Sequence, residues 1–362
     1  MKKRTTKMIG SIMIAIVLIV LSACGSSGSG NTTQGSGGSA PASNDSNKPK
    51  LGIAVIDLKN AFFVRMKEGG DAAAKDYGVE AIWQSADGSL EKQISIIENF
   101  IQQKVDVILI DPMDAKGLIP VIDKAGEAGI PVITMGNKVE GKQNHNTLYP
   151  DYENMGMIAR AMATAMDGKG QIALLTGAAG NFVSDTREKG FKDVIQKEFP
   201  DVEIVGVQPT SFDPAQAQRI TETWLNNYPD LKGIAVITDP LALGAMSAAE
   251  AKGKQLIYGG IDGDVEMHPF FENGSMIIDV LTGSARVGYW NVAAGARIAK
   301  GSKFPTDLFM PTHFIMTDDM ALNLKSKGME FRHITPQTAT VIATGYTEEL
   351  GPNQPDERIS GQ

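Results

Sequence analysis

A single cysteine, Cys24, stands in the 362 residues, so neither an intrachain disulfide nor a multi-cysteine zinc site can form. Aromatic residues make up only 6% of the chain. The four histidines, His145, His268, His313 and His333, are scattered, with no nucleophile-and-base motif of the G-x-S-x-G kind beside them. Positive charge is short as well: 34 Lys and Arg face 42 Asp and Glu, a net charge of −8, the wrong sign for a protein that tracks nucleic-acid phosphates. The long apolar run at residues 8–21, interrupted only by Gly10 and Ser11, is shorter than the roughly 20 residues that a membrane-spanning helix needs. What is present, 42% hydrophobic residues, suffices for one large or two medium domains.

The start of the chain reads as separate from that folded body. Lys2, Lys3, Arg4 and Lys7 precede the apolar run, as in a secretory signal peptide. The run closes on Leu21-Ser22-Ala23-Cys24, followed by Gly25, which matches the bacterial lipoprotein cleavage box. Residues 1–23 are therefore expected to be removed and Cys24 to carry lipid. Loss of the four basic residues leaves 30 basic against 42 acidic side chains, a net charge of −12. Residues 24–48 are almost wholly Gly, Ser, Asn, Thr, Gln, Ala and Pro and read as a flexible tether spanning about 25 to 30 Å. The expected location is the extracytoplasmic face of a cell membrane.

Beyond Pro49, short β-branched runs alternate with amphipathic stretches. Strands are expected at 51–56, 79–83, 105–110, 132–134, 171–175, 202–207, 234–237, 256–260 and 276–280. Ile94, Ile97 and Ile101 recur at helical spacing, and Pro214 with Ile220 and Trp224 marks another helix. Such alternation implies parallel sheets with crossover helices. Residues 107–117 and 234–244 echo each other: each runs strand, Asp-Pro, helix. There the proline presets a first turn, and Asp111 or Asp239 either caps its helix or faces a ligand. The fold class is thus α/β, with two similar doubly wound parallel-sheet lobes and a cleft between them.

Ligands of such sheets sit outside the carboxyl ends of the strands. The residues expected there are polar or aromatic: Asn60, Phe62 and Phe63, then Asp111 and Asn137. In the second lobe they are Asn181 to Arg187, Phe212, Thr238, Asp239, Asp262 and Thr282. Carboxylates that accept from adjacent hydroxyls, beside rings that cover C–H faces, suit a polyhydroxylated ligand. At any single position a cap or turn role competes with ligand contact.

Asn60-Ala61-Phe62-Phe63, Ile108-Leu109-Ile110-Asp111-Pro112, Gly129-Ile130-Pro131-Val132-Ile133-Thr134, Arg187-Glu188-Lys189-Gly190-Phe191, Ala242-Leu243-Gly244-Ala245 and Gly260-Ile261-Asp262-Gly263 occur in this order. As an ordered set they resemble the type I periplasmic sugar-binding proteins, the family of the ribose and galactose receptors that feed ABC importers. The resemblance covers residues 50–317. It implies ligand contacts at Asn60, Phe62, Asp111, Asn137, Phe212, Asp239 and Asp262, with Phe63, Asp185, Arg187, Thr238 and Thr282 similarly placed. It further implies three crossovers forming a hinge near Asp151, Thr282 and Pro311. The lobes would then comprise 49–151 with 283–311 and 152–282 with 312–345, followed by a tail at 346–362. Its expected partners are a small carbohydrate or polyol, an ABC permease and, through the lipid, the membrane. It implies no catalysis, cofactor, metal or nucleic acid, and a monomer.

Departures narrow the ligand. Ribose receptors resembling this chain have proline at Ala61, asparagine at Asp111, Asp-Arg at Gly136-Asn137, asparagine at Thr238 and glutamine at Thr282. Their ligand-facing arginine falls near Asp185, and Arg187 reads more as the structural arginine of its motif. More acid and less arginine disfavours sugar acids and phosphorylated sugars; it favours a neutral aldose or polyol and leaves room for a cationic amine. Three other readings compete. Thr176-Gly177-Ala178-Ala179-Gly180 is half of a dinucleotide fingerprint and reads better as a turn. The alternation of Asp262, Asp264, Glu266 and His268 lacks a calcium-loop pattern and reads as a solvated loop. A receptor signalling to a membrane kinase or chemoreceptor is the alternative to import, and neighbouring genes would separate the two.

Overall fold

The computed structural model describes residues 48–310 and 312–344. The leader, Cys24, most of the tether, Pro311 and the tail at 346–362 lie outside the described residues. The elements in chain order are β1 (Lys50–Val55), α1 (Ala61–Tyr77), β2 (Glu80–Ser85), α2 (Leu90–Gln103), β3 (Val107–Ile110), α3 (Ala115–Glu127), β4 (Val132–Met135) and β5 (Asn144–Leu148). There follow α4 (Asp151–Ala165), β6 (Gly170–Thr176), α5 (Phe182–Glu198), β7 (Val202–Pro209), α6 (Pro214–Asn227), β8 (Leu231–Val236), α7 (Asp239–Ala251) and β9 (Ile257–Gly259). A single 3-10 turn, Val265–Met267, leads to α8 (Pro269–Glu272), β10 (Met276–Leu281), α9 (Ser284–Ala299), β11 (Asp307–Phe309), β12 (His313–Ile315), α10 (Asp318–Ser326), β13 (His333–Ile334) and α11 (Pro336–Thr344).

Two sheets result. The first runs β11-β5-β4-β3-β1-β2 and is parallel throughout. The second runs β13-β12-β10-β9-β8-β6-β7, with β12 antiparallel to β10. Set side by side, 11-5-4-3-1-2 and 12-10-9-8-6-7 are the same winding, so the echo between residues 107–117 and 234–244 reflects a duplicated architecture. The central strands β1 and β3 are buried along nearly their whole length, as helices on both faces require.

The chain passes between the sheets three times. It leaves β5 for α4, which packs on β9 and β10; it leaves β10 for α9, which packs on α1 and β3; and it leaves β11 for β12. Glycines bring helix pairs together: a Cβ on Gly288 of α9 would lie 1.7 Å from the Met66 carbonyl of α1, and one on Gly190 of α5 2.3 Å from the Tyr152 carbonyl of α4.

The structure departs from the sequence reading in three respects. β5, Asn-His-Asn-Thr-Leu, carries no β-branched run; two of its buried polar side chains, Asn146 and Thr147, are bonded laterally. Asn146 accepts from Thr134 Oγ1 at 2.6 Å and donates to Asp307 at 2.9 Å, and Thr147 Oγ1 donates to Asn291 at 2.8 Å. Second, neither Asp-Pro aspartate caps a helix. Asp114 caps α3, accepting from Lys116 and Gly117, and Thr238 occupies the cap position of α7. Third, the segment after Thr317, expected in the second lobe but with no elements assigned, forms α10, the edge strand β13 and α11, the last anchored by a 2.6 Å hydrogen bond between Thr340 and His268.

Candidate ligand-binding cleft

In each sheet the winding reverses direction between two neighbouring strands, β1 and β3 in the first and β6 and β8 in the second, and the carboxyl ends there form the crevice in which such folds hold ligands. At the end of β1, Asn60 caps α1 by accepting from Phe62 N at 2.8 Å. The cap fixes the start of a helix whose first turn carries Phe62, half-buried, and Phe63, buried, with their rings edge to face and 5.3 Å apart. The cap uses Asn60 Oδ1 and not its Nδ2, and the residue is exposed.

At the end of β3, Asp111 is only 7% exposed. Its main chain is clamped: its N–H donates to Ala54 O at 2.9 Å, and its carbonyl accepts from Gln93 Nε2 at 2.7 Å. Gln93 sits on the apolar face of α2 and also accepts from Met113 N at 3.1 Å. The Asp111 carboxylate accepts from Asn137 Nδ2 at 3.3 Å. Burial pushes this carboxyl up to about 7, and the Asn137 donor partly offsets the rise. Asn137 in turn accepts from Val183 N of α5 at 3.3 Å, so one amide joins the two α/β halves.

The second half supplies more acid. Asp262, 4% exposed, follows β9 at φ 141°, a conformation that glycine favours. It is held there because Gly283 N donates to its carbonyl at 2.8 Å and its own N–H donates to Val280 O at 3.0 Å. Thr238 Oγ1 donates to its carboxylate, as does Asp239 N at 3.4 Å. Asp239, fully buried, accepts from Asp264 N at 2.8 Å, and Asp279 of β10, also fully buried, lies within electrostatic reach of it. Burial raises Asp239, and the charges of Asp279, Asp262 and Asp264 raise it further. Burial likewise raises Asp262, with the Asp264 charge adding to it and Arg187 opposing it. Phe212 stands at φ 61° with its ring on Gly177, where a Cβ would lie 2.3 Å from Phe212 Cζ. That contact accounts for Gly177, the first glycine of the Thr-Gly-Ala-Ala-Gly turn. Thr282, buried, lies in the second passage.

Two expected ligand residues have partners within the protein. Arg187 is buried and committed: its Nε donates to Asp151 Oδ1 at 2.7 Å and its Nη1 to the Ile237 carbonyl at 2.5 Å. Asp185 is exposed in the first turn of α5, where it accepts from Gly180 N at 3.3 Å. It lines a cavity of about 500 Å³ together with Asp114, Lys116 and Lys138 of the first half and Phe182 and Thr186 of the second. Asp262 is bonded to Thr238, Asp264 and Glu266 both to Arg65, and His268 to Thr340. Among the described residues no cluster of three or more His, Cys, Asp or Glu could hold a metal ion. Gln93, bonded to the Asp111 carbonyl, Asp279, whose charge acts on Asp239, and Arg65, bonded to Asp264, are not among the residues expected from the sequence. Burial raises the Tyr149 hydroxyl, which lies within electrostatic reach of Arg286, Asp151, Arg187 and Asp111.

The family model of the periplasmic binding protein domain matches residues 51–303. The chain belongs to that family. Its relatives among periplasmic binding proteins include the ribose import binding protein RbsB of Bacillus subtilis, 28% identical over 275 residues, which is 75% of this chain and 89% of that protein. The xylitol-binding protein of Mycolicibacterium smegmatis is 28% identical over 294 residues, 79% of this chain and 82% of its own. Among solved structures, an ABC transporter solute binding protein from Bacillus halodurans with bound myo-inositol has a TM-score of 0.70 at 25% identity, covering 77% of this chain and 98% of that one. One from Actinobacillus succinogenes with bound D-allose has a TM-score of 0.70 at 24% identity, covering 76% and 100%. The fold is accordingly the type I arrangement of periplasmic binding proteins. Among the described residues no helix is long and apolar enough to cross a membrane.

Proposed function

We propose that this protein is the extracytoplasmic receptor of an ABC importer and captures a small neutral sugar or polyol between its two α/β halves. The observation that carries the reading is the set of three buried carboxyls, Asp111, Asp239 and Asp262, placed at the carboxyl ends of strands from both sheets. Ionised, each accepts two hydroxyl donors, and vicinal hydroxyls match that geometry. An anionic ligand would need a cationic clamp, and the guanidinium nearest the family's motif, Arg187, is spent on Asp151 and Ile237. The ribose import binding protein and the xylitol-binding protein support the same ligand class.

Phe62 and Phe212 cover the apolar faces of the ligand, and Asn137 and Thr238 orient the acids. Closure follows from contacts made by both halves, which favour a closed state that the permease reads. The lobes are 49–151 with 283–311 and 152–282 with 312–345, hinged at the three passages. Cys24 carries the lipid that anchors a monomer to the membrane. A thermal-shift panel of D-ribose, D-allose, xylitol and myo-inositol tests the ligand class, since a ligand that binds only the folded state raises the melting temperature with its concentration. A concentration-dependent rise with at least one is expected; no shift with any of them contradicts the reading.

A further inference from the structure

Arg65 lies on α1, one turn beyond Phe62, and all three of its guanidinium nitrogens are engaged. Nη2 meets Asp264 Oδ2 at 2.8 Å, Nη1 meets Glu266 Oε1 at 3.2 Å, and Nε donates to Ser284 Oγ at 3.1 Å. The first two partners belong to the loop after β9 in the second half, and the third opens α9 at the second passage between the sheets. Asp264 is also the residue whose N–H holds Asp239 at 2.8 Å, and Asp239 N donates to Asp262. The guanidinium is therefore linked to the buried acids through one side chain and one backbone amide. The charge of Asp264 works against Asp239, Asp262 and Asp279 alike, so the cation that pairs with it also relieves them.

We propose that Arg65 is a positioning residue for ligand binding: it latches α1 to the Asp264 loop across the cleft and so fixes the carboxyls of Asp239 and Asp262 for the ligand's hydroxyls. The inference rests on the reading of the cleft as a sugar or polyol site. The latch is partly exposed, with the Arg65, Asp264 and Glu266 side chains 31%, 11% and 50% accessible, so salt screens it. A ligand without charge would then bind with a salt dependence that originates in the protein alone.

The test compares wild type, Arg65→Ala and Arg65→Lys in the full chain. The first readout, made without ligand, is hydrogen exchange at the Asp264 amide. The second is calorimetric titration, at low and high NaCl, with whichever of D-ribose, D-allose, xylitol and myo-inositol shifts the wild-type melting temperature most. Faster exchange in Arg65→Ala is expected, together with a dissociation constant raised on the order of tenfold at low salt. The wild-type salt dependence should vanish in Arg65→Ala and persist in part in Arg65→Lys. Unchanged exchange overturns the latch. Faster exchange with an unchanged dissociation constant and an unchanged salt slope reduces Arg65 to a structural contact and overturns the positioning role. If no panel member binds wild type, the sugar-site reading falls, and the positioning role falls with it.

Discussion

Arg187 Nε donates to Asp151 Oδ1 at 2.7 Å where the chain first leaves the β5 sheet, and the same guanidinium donates to the Ile237 carbonyl at the end of β8. Three segments, the start of α4, the first turns of α5 and the switch point of the second sheet, are thus tied at one buried cation. Both side chains are almost wholly buried, 7% and 1% exposed. Burial raises the Asp151 carboxyl and the Arg187 charge opposes that rise.

Removing one partner of such a pair strands the other in a low-dielectric site. Arg187→Met is expected to lower the unfolding free energy by about 3 to 5 kcal/mol in urea titration. The double variant Arg187→Met with Asp151→Leu should recover part of the loss, because no charge is left stranded. A single-variant loss under about 1 kcal/mol, the range of an exposed ion pair, would show that the contact is not the tie described.

Asp111 makes stability and binding depend on pH with opposite sign. Its carboxyl stands at about 7 in the folded ligand-free protein against about 3.9 unfolded. Between those values the folded state holds the extra proton. Its contribution is therefore complete below about pH 4, falls as pH rises and is gone above about pH 7. The Asp111→Asn variant should lose that part of the slope in melting temperature between pH 4 and 7. Hydroxyl donors favour the ionised carboxylate, so binding should release protons and tighten as pH rises toward 8. Calorimetric titrations in buffers of different ionisation enthalpy read that release directly, and proton uptake on binding would contradict the assignment.

The contact between α1 and α9 leaves no room for a side chain. A Cβ on Gly288 would sit 1.7 Å from the Met66 carbonyl, and one on Gly69 1.9 Å from the Ala285 carbonyl. These are backbone atoms of rigid helices, which cannot swing aside. Gly288→Ala is expected to cost about 3 kcal/mol or more, at or beyond the upper end of ordinary overpacking, whereas Gly301→Ala, with open space at its Cβ, strains only its own backbone. Chemical denaturation of the two variants ranks them.

The sequence carries the alternating architecture because hydrophobic period and turn residues are local. Nine strand stretches were legible, and so were the carboxyls that end them. The missed elements fail the same local test. β5 is a polar pentapeptide whose burial depends on Thr134, Asp307 and Asn291 from elsewhere in the chain. β11, β12 and β13 span only two or three residues each. Gln93 carried a readable signal, an amide on the face that Ile96, Ile97 and Phe100 bury. Asp279 carried another, an acid inside the apolar strand Met-Ile-Ile-Asp-Val-Leu. Arg65 carried none, since its partners lie about 200 residues away along the chain. At Asn60 the cap role is visible in its own first turn.

Asp262 gathers the strongest demands of the site: a glycine-like φ, two backbone bonds to the second passage, and a carboxylate turned to Thr238 and Asp239. The most direct test of the account is a calorimetric titration of wild type and Asp262→Ala with the sugar or polyol that most raises the wild-type melting temperature, with folding of the variant checked by circular dichroism. The account predicts one-to-one binding by wild type and none by a folded Asp262→Ala. Equal affinity in the two proteins would contradict it.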